Sequence, residues 1–123
     1  MFFACRRASM AASSRHMQSL MKIIRSREFV ASRAWGAELI AAIPDATVRL
    51  HWTDQPYRWH VNDGEEVFAV MDGEVDMHYR QGGEEHIVTL RTGDLFFAGE
   101  GDAHCAHPRV ASRILVIERA GSA

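Results

Sequence analysis

At 123 residues, with 47% hydrophobic and 24% charged positions, the chain has room for one domain with one modest core, and its composition is globular rather than disordered. No apolar run approaches the roughly 20 residues of a membrane-spanning helix, which sets a transmembrane role aside. The formal net charge is −2, but every charged residue before Glu28 is basic (Arg6, Arg7, Arg15, Lys22, Arg25, Arg27); the acidic remainder lacks the concentrated basic face that nucleic-acid binding needs.

Residues 1–21 read as a basic leader, disordered or wrongly assigned to the protein, and residues 22–120 as the folded domain. Met21 to Ile24 has the look of a first strand. Residues 34–43 are ambiguous: the alanines favour a helix, whereas Gly36 and the stop at Pro44 argue against one. Residues 47–53 alternate strictly, with Val48, Leu50 and Trp52 on one face and Arg49 and His51 on the other.

Next comes Tyr57 to Asn62, read as a strand with Arg58, His60 and Asn62 on one face and Tyr57, Trp59 and Val61 on the other. Asp63 and Gly64 supply a tight turn, and the returning strand 66–71 places Glu66, Phe68 and Val70 together, able to meet His60 across a hairpin. An acid in phase with apolar core positions needs a compensating partner such as a cation, which favours Glu66 over Glu65. Turns at 72–73 and 81–83 separate strands 74–80 and 85–90. Another turn at 91–94, a short strand 95–97, a glycine-assisted loop 99–102 and a last strand 113–118 follow. Many short strands at close spacing predict an all-β sandwich or barrel, an architecture that often leaves a ligand-sized cavity.

His104, just after the glycine loop, joins His60 and Glu66 as a candidate metal ligand, with Asn62 as a lesser one. Two imidazoles and one carboxylate bind a single divalent transition ion (iron, manganese, nickel or zinc) and leave positions open for water or substrate. Arg49, His51, Arg58 and Phe68 are candidate pocket-lining residues; for Arg58, holding an anion and forming a surface salt bridge are equal alternatives. His107, out of phase with His104, is expected on the outside, and His78 and His86 are expected to be exposed. Cys105 reads as a small buried hydrophobe, and with only Cys5 for company it suggests a reducing, cytoplasmic setting.

At these residues the sequence resembles the cupin superfamily, in particular its small single-domain members. The first motif of that family is a His, one residue, a second His, three or four residues, a Glu, six residues and a Gly. Here it runs from His60 through Glu66 to Gly73, with Asn62 in place of the second His. The second motif is matched by Gly93, Gly101 and His104, with Gly99 in place of its proline and Pro108 in place of its final Asn. The resemblance implies a double-stranded β-helix, or jelly-roll barrel, that holds one metal ion and acts on or binds a small molecule. It leaves three functions open: metal-dependent chemistry on a small polar or carboxylated molecule, a non-catalytic binding module with a metal-free pocket, or a structural cupin without chemistry. Apolar residues on both faces of strand 66–71 point further to a homodimer.

Overall fold

The computed structural model describes residues 21–122. Nine strands follow one 3₁₀ turn at Ser26–Glu28: β1 (Gly36–Ile43), β2 (Ala46–Thr53), β3 (His60–Val61), β4 (Glu66–Asp72), β5 (Glu74–Gln81), β6 (Glu84–Arg91), β7 (Leu95–Ala98), β8 (Ala103–Pro108) and β9 (Ser112–Arg119). They form two sheets, one in the order β1-β2-β9-β4-β7 and one in the order β3-β8-β5-β6. All pairings are antiparallel, and the all-β double-stranded β-helix expected from the sequence is the fold observed. The basic leader expected at residues 1–21 lies, apart from Met21, outside the described residues.

The core sits between the sheets. Phe68 and Val70 from β4 and Ile114 and Val116 from β9 meet Val75 and Met77 from β5, Leu90 from β6 and Ala106 from β8. Each of these strands sends alternate residues inward, the consequence of a two-residue period on a pleated ribbon. Leu50 and Ala69 are buried as well, but they face outward, one residue out of phase with the inward row. The segment before β1 is drawn toward that outer face, where residues 26–28 touch β4 and Arg113 Nε donates to the Phe29 carbonyl at 2.8 Å.

One local expectation is corrected and one ambiguity resolved. Residues 21–24 form no strand, and Met21 and Ile23 are exposed. The partner they would need, the free edge of β2, is taken by residues 36–43, with Gly36 opposite Trp52 and Ile43 opposite Ala46. The ambiguous stretch 34–43 is accordingly strand from Gly36 onward, because pairing along β2 outweighs the weak helical preference of its alanines. The chain enters β1 through Trp35 at φ 61°, a left-handed conformation that is an outlier for so bulky a residue.

Arg113 ties the leading segment to the sheet through Phe29 and is itself held by Asp72 Oδ2 of β4 at 3.1 Å. The Asp72 carboxylate is partly in water, so the ion pair itself contributes little. Arg113→Met is expected to lower stability by about 1–2 kcal/mol, chiefly through the hydrogen bonds lost. Urea unfolding would read this as a lower midpoint at unchanged slope.

Candidate metal centre

β3 is only two residues long, yet it places His60 directly opposite His104 of β8. The two rings lie edge to face with centroids 4.3 Å apart. Backbone bonds lock this corner: Asn62 N donates to Asp102 O at 2.9 Å and Gly101 N to Asn62 O at 2.8 Å. The glycine loop expected at 99–102 thus ties the end of β3 to the start of β8. Glu66 arrives from β4 in the other sheet, on its inward face with Phe68 and Val70. It meets the imidazoles across the barrel interior rather than across a β3–β4 hairpin, since β3 pairs with β8 alone.

The structure brings together a ligand atom from each of His60, Glu66 and His104, all within 4.8 Å of one another. His60 Nδ1 donates to the Arg58 carbonyl at 3.1 Å, which leaves Nε2 with its lone pair, the tautomer a metal ligand requires. His104 is 2% exposed; its Nε2 faces Asn62 Oδ1 at 2.9 Å and Glu66 Oε1 at 3.1 Å. One ring N–H makes a well-aligned bond to only one acceptor at a time. Directed to Asn62, it leaves Glu66 Oε1 in contact but without a hydrogen bond, and among the described residues this buried oxygen has no other partner. His104 Nδ1 is similarly unpartnered. A buried carboxylate oxygen facing two imidazole nitrogens, with an amide oxygen beside them, is a donor set that one cation would satisfy. The residues fit a divalent transition ion.

Burial pushes the Glu66 carboxyl up, but its contacts with His104, with help from Asn62 and His60, outweigh this and hold it below the usual range. Burial holds His60 below its ordinary value despite the Arg58 carbonyl, and the neighbouring His104 adds to the lowering. A neutral His60 beside an ionised Glu66 is the protonation pattern that metal ligation needs.

The triad opens into a cavity of about 230 Å³ bounded by both sheets and by the segment before β1. Of the four residues expected to line a pocket, His51 and Phe68 do so. Arg49 and Arg58 do not. Arg49 points inward but sits behind Glu118, 3.7 Å from its Oε2, and bonds Thr47 Oγ1 at 3.0 Å. Arg58 lies exposed over the ring of Tyr57, whose hydroxyl accepts its Nη1 at 3.0 Å. The alternation assumed from Tyr57 to Asn62 fails because regular strand begins only at His60. Tyr57 therefore lines the cavity, where the strand reading had turned it away.

Trp35, Tyr57, Arg33 and Glu118 line the cavity as well and escaped the sequence reading. Glu118 had a signal: it shares a phase with Ile114 and Val116, the same argument that selected Glu66. Burial and the charge of Glu66 push its carboxyl up, against the pull of Arg49. On the outer face, His107 lies tilted against His78 with centroids 4.1 Å apart; on the inner face, His86 stacks on Tyr79 at 5.4 Å. His78 and His86 are thus half-buried rather than exposed, because aromatic neighbours across the strands cover them. Cys105 is buried, and its thiol donates to the Tyr57 carbonyl at 2.9 Å.

His51 has a pH consequence. Burial holds its imidazole below 6.5; the Trp35 carbonyl opposes this, Arg49 reinforces it and Glu66 opposes it. In the unfolded chain the group titrates near its ordinary value, so as pH falls the unfolded state takes up the proton first. The stability from burying neutral His51 is complete above that value and is lost as pH falls toward the lowered folded one. Unfolding midpoints of metal-free protein are expected to decline from about pH 7 to pH 5, and His51→Gln should lessen that slope.

Among solved structures, the chain resembles a cupin-2 domain containing protein from Shewanella frigidimarina, at TM-score 0.64 and 26% identity, over 72% of this chain and 84% of that one. A cupin superfamily protein from Desulfitobacterium hafniense aligns at TM-score 0.68 and 10% identity, over 82% and 92% of the two chains. Hydroquinone 1,2-dioxygenase in complex with Fe3+ aligns at TM-score 0.66 and 19% identity, over 73% of this chain but only 29% of the enzyme's. No protein-family model matches the chain, and no curated protein does.

Proposed function

The chain being a small cupin-fold protein, we propose that it binds one divalent transition metal ion through His60, Glu66 and His104 and acts on a small polar or carboxylated molecule held in the adjoining cavity. The observation that carries this reading is the buried Glu66 Oε1, without a hydrogen bond and facing both imidazoles. The solved relative with bound Fe3+ is consistent with it.

A bound ion of this kind supplies Lewis-acid polarisation or oxygen activation. The protein supplies the rest. His60 presents its Nε2 lone pair, whereas His104 Nε2, whose N–H donates to Asn62 Oδ1 at 2.9 Å in the metal-free protein, would exchange that proton for the ion. Burial favours the neutral form of His51; its Nδ1–H donates to the Trp35 carbonyl at 3.1 Å, which places the lone pair on Nε2, free to take a proton from a molecule in the cavity. Phe68, Val116 and Trp35 limit water around the site.

A metal-free binding pocket is the competing reading, and the His104–Asn62 bond favours it by satisfying Nε2 without an ion. Metal content decides between them. Protein purified without chelator is expected to carry near-stoichiometric iron, manganese, nickel or zinc by inductively coupled plasma mass spectrometry. Protein that stays empty on titration with each of these ions would leave the metal-free pocket.

The reading extends to assembly and setting. Leu95 and Phe97 of edge strand β7 are exposed on the outer face beside Val67, and a homodimer would cover them. The free, buried Cys105 suits a reducing compartment, the cytoplasm. Among the described residues no helix is long and apolar enough to cross a membrane, and no role with nucleic acid is proposed.

A further inference from the structure

One wall of the cavity, running up to the triad, is aromatic and ordered. Trp35 meets Tyr57 with centroids 5.2 Å apart at 66°, and His51 at 5.9 Å and 64°. Tyr57 in turn meets His60 at 5.2 Å and 89°. These edge-to-face contacts lead from the mouth to the metal centre, and Phe68 lies on the inner wall. Aromatic rings favour this geometry with one another, so another flat ring can join the series.

Trp35 is placed there against its own backbone preference. Its φ of 61° is held by Nε1–H donating to the Gln55 carbonyl at 2.8 Å and by its own carbonyl accepting from His51 Nδ1 at 3.1 Å. A strained residue fixed from both ends at a cavity mouth is a pattern found at ligand sites. The cavity, about 230 Å³, is larger than the roughly 150 Å³ that accommodates benzene. It takes one ring with a substituent and little more.

Charge sets the second requirement. Glu66 and Glu118 carry two negative charges; Arg33 at the mouth and Arg49 behind Glu118 balance them. A divalent ion in the triad then leaves the cavity net positive, and Arg33, exposed and without an ion-pair partner among the described residues, is free for an incoming anion.

We infer that the ligand of this site is a single-ring aromatic carboxylate, its ring against Trp35 and Tyr57 and its negative charge drawn by the metal and Arg33. The anionic half of this inference rests on the metal-binding function proposed above; the aromatic half does not.

The test titrates the metal-loaded full chain by calorimetry with three probes: benzoate, cyclohexanecarboxylate and benzylammonium. Benzoate should bind about 3–10-fold more tightly than cyclohexanecarboxylate, the range of one or two aromatic contacts, and benzylammonium should bind weakest. Trp35→Leu should cut the preference for the ring to the share that Tyr57 alone supplies, and Trp35→Phe, which keeps a ring if the hydrogen bond matters to folding, should retain it. Arg33→Gln should weaken both carboxylates alike. Equal binding of benzoate and cyclohexanecarboxylate, or tightest binding of benzylammonium, overturns the inference. Metal content of the same samples separates the two ideas. A chain that holds metal but shows no ring preference overturns the inference alone, whereas a metal-free chain that still favours benzoate over both comparators supports it and overturns the metal reading.

Discussion

Replacing His60 and His104 together by alanine is expected to abolish metal retention, from near one ion per chain to background. The two imidazoles are the nitrogen donors of the cluster, and only the Glu66 carboxylate and the neutral Asn62 amide would remain, a weak set for a transition ion. Altering groups that merely orient ligands costs metal affinity by about 10–100-fold, so losing two ligands takes binding beyond what purification preserves. His104→Ala also leaves Glu66 buried without its main partner, and some loss of fold stability accompanies it. His60→Ala alone guards against that ambiguity. His60 is half-exposed, and among the described residues its only side-chain hydrogen bond is to the Arg58 carbonyl at 3.1 Å, so this variant should melt near the wild type while losing most of its metal. Metal content unchanged in both variants would sink the triad.

Gly73→Ala is expected to destabilise the fold by about 3 kcal/mol, through two costs that add. Gly73 has φ 113°, a region glycine enters freely and other residues do not. A Cβ there would also lie 2.8 Å from Ser112 Cβ and 3.0 Å from Ser112 Cα. Ser112 is fully buried and held by the Val110 carbonyl at 2.8 Å, so it cannot swing aside. Gly73 N also donates to Thr92 Oγ1 at 3.0 Å, and displacing the turn would break that bond. Gly93→Ala is the matched control: its φ of 96° lies outside the left-handed helical basin as that of Gly73 does, yet nothing lies within 4 Å of a Cβ there. Urea unfolding of the two variants separates the steric part from the backbone part. Equal losses would show that the approach to Ser112 relaxes at no cost.

The glycine that ends the first motif is thus explained by packing: β4 turns into β5 directly over β9. Comparable physical reasons separate what could be read along the chain from what could not. Strands β2, β4, β5, β6, β7 and β9 were legible because period-two alternation and glycine turns are local properties. Glu66 was legible for the same reason, as an acid in phase with Phe68 and Val70. The helix-or-strand ambiguity at residues 34–43 was real, since β1 is strand only by virtue of its pairing with β2.

Within the site, the triad residues were named from phase and spacing, and the fold brings them within reach of one another. How they meet was not legible. The apparent 57–66 hairpin is divided between two sheets, and His60 finds His104 through a two-residue strand that alternation cannot detect. Arg58 was set toward the pocket and Tyr57 away from it because a strand was assumed where the chain runs irregularly. Trp35 and Arg33 belong to a segment with no period at all.

The sequence by itself determined the all-β class, the order of most strands and the inward phase of the acidic ligand, because these follow from side-chain alternation and turn chemistry between near neighbours. Only the tertiary structure decided which strands share a sheet, which rings surround the cavity and which arginines face it. Those depend on contacts between distant parts of the chain, such as Trp35 with Gln55 and Arg113 with Phe29, whose geometry has no counterpart in local sequence.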